Sequence, residues 1–380
     1  TTLENKIFNS KLRSGTNSIY KYSSSVTTIT NTDLTGTINN SNANGVLNIT
    51  NGTITGAISN SGKSTIRESI LKLTSSYYNH EQMISNSGIM TIEDSELTFT
   101  NTNSSNYYKY DSRVVYNTGT YTSYNNEYTV TNSSSYYNKH LVGIYNSGIT
   151  TSNLDIINVY GGRGGYPVYN NTSNTGKYNN ITVNSYNNVE TYGIVNNAGT
   201  AIIDGGEVNT YNSTNAMGLR VNSTTTTTDV VYTVYGNSNV ARGAYIDNGN
   251  LTVESGLFNI QNGASGFGFQ INSGTLTWND GTVTVTGPTT GYGIHMNTGT
   301  ANLNGGSATV NATTTGYGIQ IANGTINYVS GSVIANATTT YGIHMTNGTV
   351  NLGVEDGSGM DSADVSITNP HIEAIGTTSG

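Results

Sequence analysis

Apolar residues recur two apart in short alternating runs along most of this chain, and the runs themselves keep a fixed phase. The phase is clearest between Tyr192 and Val350, where an aromatic or bulky residue, a glycine and an apolar residue form a marker. It reads Tyr192-Gly193-Ile194, Met217-Gly218-Leu219, Phe267-Gly268-Phe269, Tyr292-Gly293-Ile294, Tyr317-Gly318-Ile319 and Tyr341-Gly342-Ile343. Gly193, Gly218, Gly243, Gly268, Gly293 and Gly318 keep one constant interval, and Gly342 comes a single position early. That interval, about 25 residues, is of the size that stacked repeats use. With the marker glycine as zero, Leu219, Ala244, Phe269, Ile294, Ile319 and Ile343 fall at plus one. Val221, Ile246, Ile271, Met296, Ile321 and Met345 fall at plus three. A second run supplies Leu251/Val253, Leu276/Trp278, Ala301/Leu303, Ile326/Tyr328 and Val350/Leu352. A third supplies Val208, Phe258/Ile260, Val283/Val285, Ala308/Val310 and Val333/Ala335.

Side chains two apart share one face of a strand, so each unit predicts three short strands with inward apolar pairs. Gly199, Gly249, Gly324 and Gly348, and Gly206, Gly256, Gly281, Gly306 and Gly331, mark the corners between them, where positive φ is tolerated. Strand, corner, strand, corner and strand at constant phase predict an all-β fold: a three-sided parallel β-helix, with each coil burying its apolar face on the next. The spacing of two excludes amphipathic helices. A propeller blade needs roughly 40 residues, and a sandwich has no reason to keep the phase. Coils of about 20–30 residues, as in other stacked repeats, give about 15 coils in all.

The phase varies along the chain. Residues 1–25, with Lys6, Lys11, Arg13 and Lys21, do not fit the repeat and read as an N-terminal cap or docking segment. Residues 26–355 read as one continuous solenoid that begins with shorter coils, in which 31–38 resembles 51–58. From Leu71 to Thr150 the coils lengthen, and each added segment carries a tyrosine pair: Tyr77-Tyr78, Tyr107-Tyr108 and Tyr136-Tyr137. These six are expected to form a ridge, either packing on one another or recognising a ligand or a neighbouring subunit. Gly161-Gly162-Arg163-Gly164-Gly165 lacks the phosphate-loop pattern and reads as a loop. Residues 356–380 read as an irregular last coil or a second docking segment.

Composition sharpens the picture. Only 34% of the 380 residues are hydrophobic and 9% are charged, which would indicate disorder without the repeats; a solenoid, with its narrow core and large surface, accommodates both. The net charge of -8 and the lack of a basic stripe argue against nucleic acid as a partner. There is no cysteine, hence no disulfide and no thiolate metal site. No apolar run is long enough to be a transmembrane candidate. Asn-x-Ser/Thr sequons are numerous, as chance dictates in an Asn- and Thr-rich chain.

Candidate chemistry is sparse. Asp204, Asp229 and Glu254 sit at plus eleven in successive coils, continued by Asn279 and Asn304. Stacked at about 4.8 Å, they would make an acidic column: a hydrated stripe, a Ca2+ site, or a carboxylate pair for glycan cleavage. Arg220 and Arg242 fall in different columns or faces of their coils, so no basic cleft for an acidic-polysaccharide lyase is expected. His295 and His344 share a column two coils apart, about 9.6 Å, too far for one zinc ion. Glu355, Asp356, Asp361 and Asp364 lack the spacing of a calcium loop. Thr224–Thr228 and the threonine runs at 313–315 and 338–340 are expected at coil corners.

The markers Tyr292-Gly293-Ile294 with Asn297-Thr298-Gly299-Thr300, and Tyr317-Gly318-Ile319 with Asn323-Gly324-Thr325, resemble the repeats of bacterial surface adhesins and autotransporter-passenger β-helices. The resemblance spans about residues 26–350. It implies a right-handed, pectate-lyase-like solenoid, export to the cell surface, and adhesion or fibre formation. It carries over no catalytic residue. The expected function is therefore an extracellular structural or adhesive solenoid, not an enzyme and without a required cofactor, self-associating into a homopolymeric fibre; the alternative is a polysaccharide-binding or polysaccharide-cleaving β-helix that contacts surface glycans.

Overall fold

The structure, a computed structural model, describes residues 4–75, 81–102, 111–132, 140–186, 189–353 and 371–379. It is an all-β parallel β-solenoid of about 13 turns, with no helix among the described residues. Coils of 31 and 29 residues between Asn86, Asn117 and Asn146 help to make the turns fewer than the sequence pattern suggests. The chain divides into two compact units, Thr1–Val189 and Glu190–Gly380.

In the first unit the basic N-terminal segment is itself a coil. Glu4–Phe8 pairs in parallel with Val26–Thr30, and Lys11–Lys21 with Asp33–Asn40. Register shifts between Arg13, Asn17 and Ile19 break the alternation, which is why the repeat is invisible there. Three inward ladders follow from the period-two pattern. Ile7, Ile29, Ile49, Ile66 and Ile92 lie opposite one another in successive coils. So do Leu12, Leu34, Ile54, Leu71, Leu97, Tyr128 and Ile157. The third runs Ile19, Ile38, Ile58, Ile84, Val115, Ile144 and Val168. Beyond the first coil these side chains are essentially fully buried, each contributing about 1.5–3 kcal/mol.

Polar ladders fix the corners of this unit. Asn40 donates its side-chain amide to Asn60 (2.9 Å), Asn60 to Asn86 (2.8 Å), Asn86 to Asn117 (2.8 Å), Asn117 to Asn146 (3.0 Å) and Asn146 to Asn170 (2.8 Å). All six asparagines are buried. At another corner each coil's backbone N–H is received by a side chain of the next coil: Gly52 by Ser69 Oγ, Ser69 by Ser95 Oγ, Ser95 by Asn126 Oδ1 and Asn126 by Asp155 Oδ1. The residue just before that cap has positive φ: Asn51 (52°), Glu68 (49°), Asp94 (49°), Asn125 (54°) and Leu154 (53°).

In the second unit the expected inward pairs stand in register. Leu219, Ala244, Phe269, Ile294, Ile319 and Ile343 form one ladder, and Leu251/Val253, Leu276/Trp278, Ala301/Leu303, Ile326/Tyr328 and Val350/Leu352 another. At the marker glycine the alternation breaks, with buried residues in succession, and there is no room for a side chain. A Cβ on Gly268 would lie 2.3 Å from Val283 Cγ1 and 2.5 Å from the Gly293 carbonyl oxygen. Eight of the nine expected corner glycines take positive φ, for example Gly281 at 113°; Gly249 does not. Thr224–Thr228 is a strand rather than a corner: Thr225 and Thr227 point inward and are fully buried, with Thr227 Oγ1 3.0 Å from the Tyr232 hydroxyl.

Candidate functional site

The break at each marker turns two outward residues, three apart in sequence, towards each other. Tyr292 and His295 touch edge to face with ring centres 5.1 Å apart, as do Tyr341 and His344 at 5.1 Å. Repeated from coil to coil, this makes a crease lined by two columns of side chains. In the second unit the marker column runs Met217, Arg242, Phe267, Tyr292, Tyr317 and Tyr341, and its neighbour runs Arg220, Tyr245, Gln270, His295, Gln320 and His344.

From Phe267 to Tyr341 the marker rings stack face to face, with centre separations of 4.6, 5.0 and 4.9 Å. The coil rise imposes this spacing. Stacking uses up the ring faces, so these rings present edges rather than platforms to solvent. Burial, with the charge of Arg242 adding to it, holds His295 below the ordinary histidine pKa.

The first unit uses the same coil position differently. Tyr116, Tyr145 and Tyr169 form the plus-two column, with Tyr145 and Tyr169 stacked at 5.1 Å. The Arg113 guanidinium lies 4.0 Å over Tyr145 and 4.9 Å from the Tyr116 ring centre. It donates to Asp111 Oδ2 at 2.9 Å, while His140 Nδ1 is 3.4 Å from Asp111 Oδ1. Burial works to raise the Asp111 carboxyl, but hydrogen bonds from His140 and Arg113 and the charge of both outweigh it and hold the pKa below its usual value. Asp111, Arg113, His140, Val142, Tyr145, Tyr166 and Tyr169 line an open cavity of about 240 Å³. The Arg113 Nε is buried in its wall without a partner among the described residues. This is a polar, aromatic recess suited to a small hydrogen-bonding group.

The sequence-derived candidates fare unequally. Tyr77, Tyr78, Tyr107, Tyr108, Tyr136 and Tyr137 lie outside the described residues. Asp204, Asp229 and Glu254 are all exposed, but the ladder sets Asp204 opposite Thr228, and Thr227 opposite Val253. Asp229 therefore stands one position beyond that line, at φ 52°, bonded to Ser255 Oγ at 2.6 Å. Glu254 continues instead into Asn279 (2.8 Å) and Asn304. Among the described residues no three His, Cys, Asp or Glu side chains converge as a metal site would require.

Arg220 and Arg242 do occupy different columns, but the structure brings them into one crease around Tyr192 and Tyr245. Sequence reading missed this because the columns meet across the break, which residue spacing alone does not reveal. It also missed the Arg113 cluster, whose members Asp111, Arg113 and His140 are aligned by a longer coil that departs from the marker phase.

Comparison with known proteins gives no matching family model, no matching curated protein and no matching solved structure. The likeness to adhesin repeats therefore rests on the marker motif.

Proposed function

We propose that this chain is an extracellular structural or adhesive solenoid, exported to the cell surface, where copies join by end-on and side contacts into a homopolymeric fibre. One observation carries the reading. In the first coil the inward residues Ile7, Leu12 and Ile19 are only half-buried, whereas their ladder partners Ile29, Leu34 and Ile38 are 0%, 1% and 0% exposed. The strands holding them pair on one edge only among the described residues, and such an edge is a template for another strand. In the second unit Met345 and Leu352 are 47% and 51% exposed, while Ile321 and Tyr328 beneath them are covered. Stacking these two apolar edges from different copies buries both, and a head-to-tail contact of this kind grows into a filament wherever its rotation does not close a ring.

Electron microscopy over a dilution series tests the proposal, alongside a Leu12→Asp variant that places a charge in the stacking edge. The expected result is filaments for the wild type, shortening on dilution, and short particles for the variant at every concentration. Isolated particles for both proteins at all concentrations would overturn it.

A further inference from the structure

We propose that the part of the crease around Arg242 and Arg220 binds one compact oxyanion, a carboxylate or sulfate group, between the two guanidinium groups, beside Tyr192 and Tyr245. This site is separate from the assembly edges, and its test does not depend on them.

Arg242 stands in the marker column, where neighbouring coils carry Met217 and Phe267. Its guanidinium carbon lies 5.7 Å from the Phe267 ring centre and 5.4 Å from that of Tyr245. Its Nε donates to Gln270 Oε1, which leaves both η nitrogens without an acceptor among the described residues. No carboxylate there forms an ion pair with it. A half-buried cation without a counterion is costly, and it is unusual in a chain of net charge -8.

Arg220 adds a second positive group. One η nitrogen donates to Asp247 Oδ2 at 2.9 Å, its guanidinium carbon is 6.0 Å from the Tyr192 ring centre, and its Nε is buried without a partner among the described residues. Both guanidinium charges act on both hydroxyls, Tyr192 and Tyr245. Met217, 7% exposed, lies opposite Arg242 in the adjacent coil. The nearby acids are Asp247, held by Arg220 and Asn272 (3.1 Å), and Glu190, whose charge reaches Tyr192. Neither neutralises Arg242. Planar N–H pairs of arginine match the paired oxygens of a carboxylate or sulfate, and the Tyr245 hydroxyl is already given to Asp247 Oδ1 at 3.4 Å.

The test compares wild type with Arg242→Met, a replacement that the same column already accommodates at Met217, and with Arg242→Gln as a second variant. Binding of sulfate, acetate, glucuronate and glucose is followed by calorimetry and thermal shift at constant ionic strength. Sulfate or acetate is expected to stabilise the wild type saturably, and glucose not at all; both variants should lose at least about tenfold in anion affinity. Glucuronate binding more tightly than acetate would identify a sugar-borne carboxylate as the ligand; equal binding would identify the anion alone. Without anion, Arg242→Met should melt higher than wild type, because an unpaired charge has gone. Equal anion shifts in wild type and variants, or an absence of saturable binding to wild type, would overturn the proposal.

Discussion

At Leu154 the backbone takes φ 53°, a left-handed conformation that costs a non-glycine L-residue about 1–2 kcal/mol. Other coils place Asn51, Asn125 and Asn180 in that conformation, and asparagine tolerates it through local hydrogen bonds. The Leu154 side chain is 45% exposed, so little packing offsets the strain. Leu154→Asn should therefore raise unfolding free energy by about 1 kcal/mol, read as a higher denaturant midpoint at unchanged slope. Its neighbour Asp155 is buried and receives hydrogen bonds from Ser123, Ser152 (2.5 Å), the Asn126 backbone N–H (2.9 Å) and the Asn126 amide (3.0 Å). Burial nevertheless outweighs these donors and raises its pKa above the usual carboxylate value. Because the folded state then holds the proton more tightly than the unfolded one, the stabilisation is complete below the ordinary carboxylate pKa and is lost as pH rises through the higher folded value. Asp155→Asn keeps the acceptor for Asn126 and removes the titration. Urea melts from pH 4 to 7 should show a shallower decline for the variant than for wild type; parallel declines would count against Asp155 as the source.

At the scale of strands and corners, the sequence revealed inward positions better than it revealed why particular residues stand at the bends. Every plus-one and plus-three residue from Leu219 to Met345 is in its expected ladder, because period-two alternation and burial are one physical fact seen twice. The marker glycine was legible as a constant, but its cause is a close approach between backbones rather than a turn. Gly268→Ala would drive Cβ to 2.5 Å from the Gly293 oxygen, which backbone cannot vacate as a side chain can. A loss of about 1–3 kcal/mol is expected, measurable by chemical denaturation. The asparagine ladder also has a sequence signal outside the marker phase: Asn60-Ser-Gly62, Asn86-Ser-Gly88, Asn117-Thr-Gly119 and Asn146-Ser-Gly148 repeat one corner motif. Asn117 accepts from Asn86 and from the Gly119 N–H, and donates to Asn146 and the Ile149 carbonyl. Asn117→Ala strands several buried partners and should cost about 3 kcal/mol, far more than an outward asparagine such as Asn304→Ala. The acidic column failed for the converse reason. Asp204 meets Thr228 one position short of the marker interval, and Thr227 meets Val253 one position past it. One strand thus slips out of the marker phase and back, and a column drawn at constant spacing misses it.

For the molecule as a whole, the period made the solenoid legible but said little about what its surfaces meet, since any stack of coils satisfies the same inward pattern. What distinguishes one end is incomplete burial. In a repeat array each coil is stabilised mainly by its neighbours, so a coil covered on one side should open at lower free energy than one covered on both. Hydrogen exchange on dilute protein should then show faster exchange of Glu4–Phe8 and Lys11–Lys21 than of Lys63–Arg67 and Ile89–Glu93, which are paired on both edges. End-on assembly makes a further demand. A second copy stacked on Ile7, Leu12 and Ile19 supplies the missing hydrogen-bond partners, so protection of those two strands should rise with protein concentration while that of the inner strands stays level. Protection of Glu4–Phe8 that never changes with concentration would show that the first coil is not where copies meet, and would overturn end-on assembly through that edge.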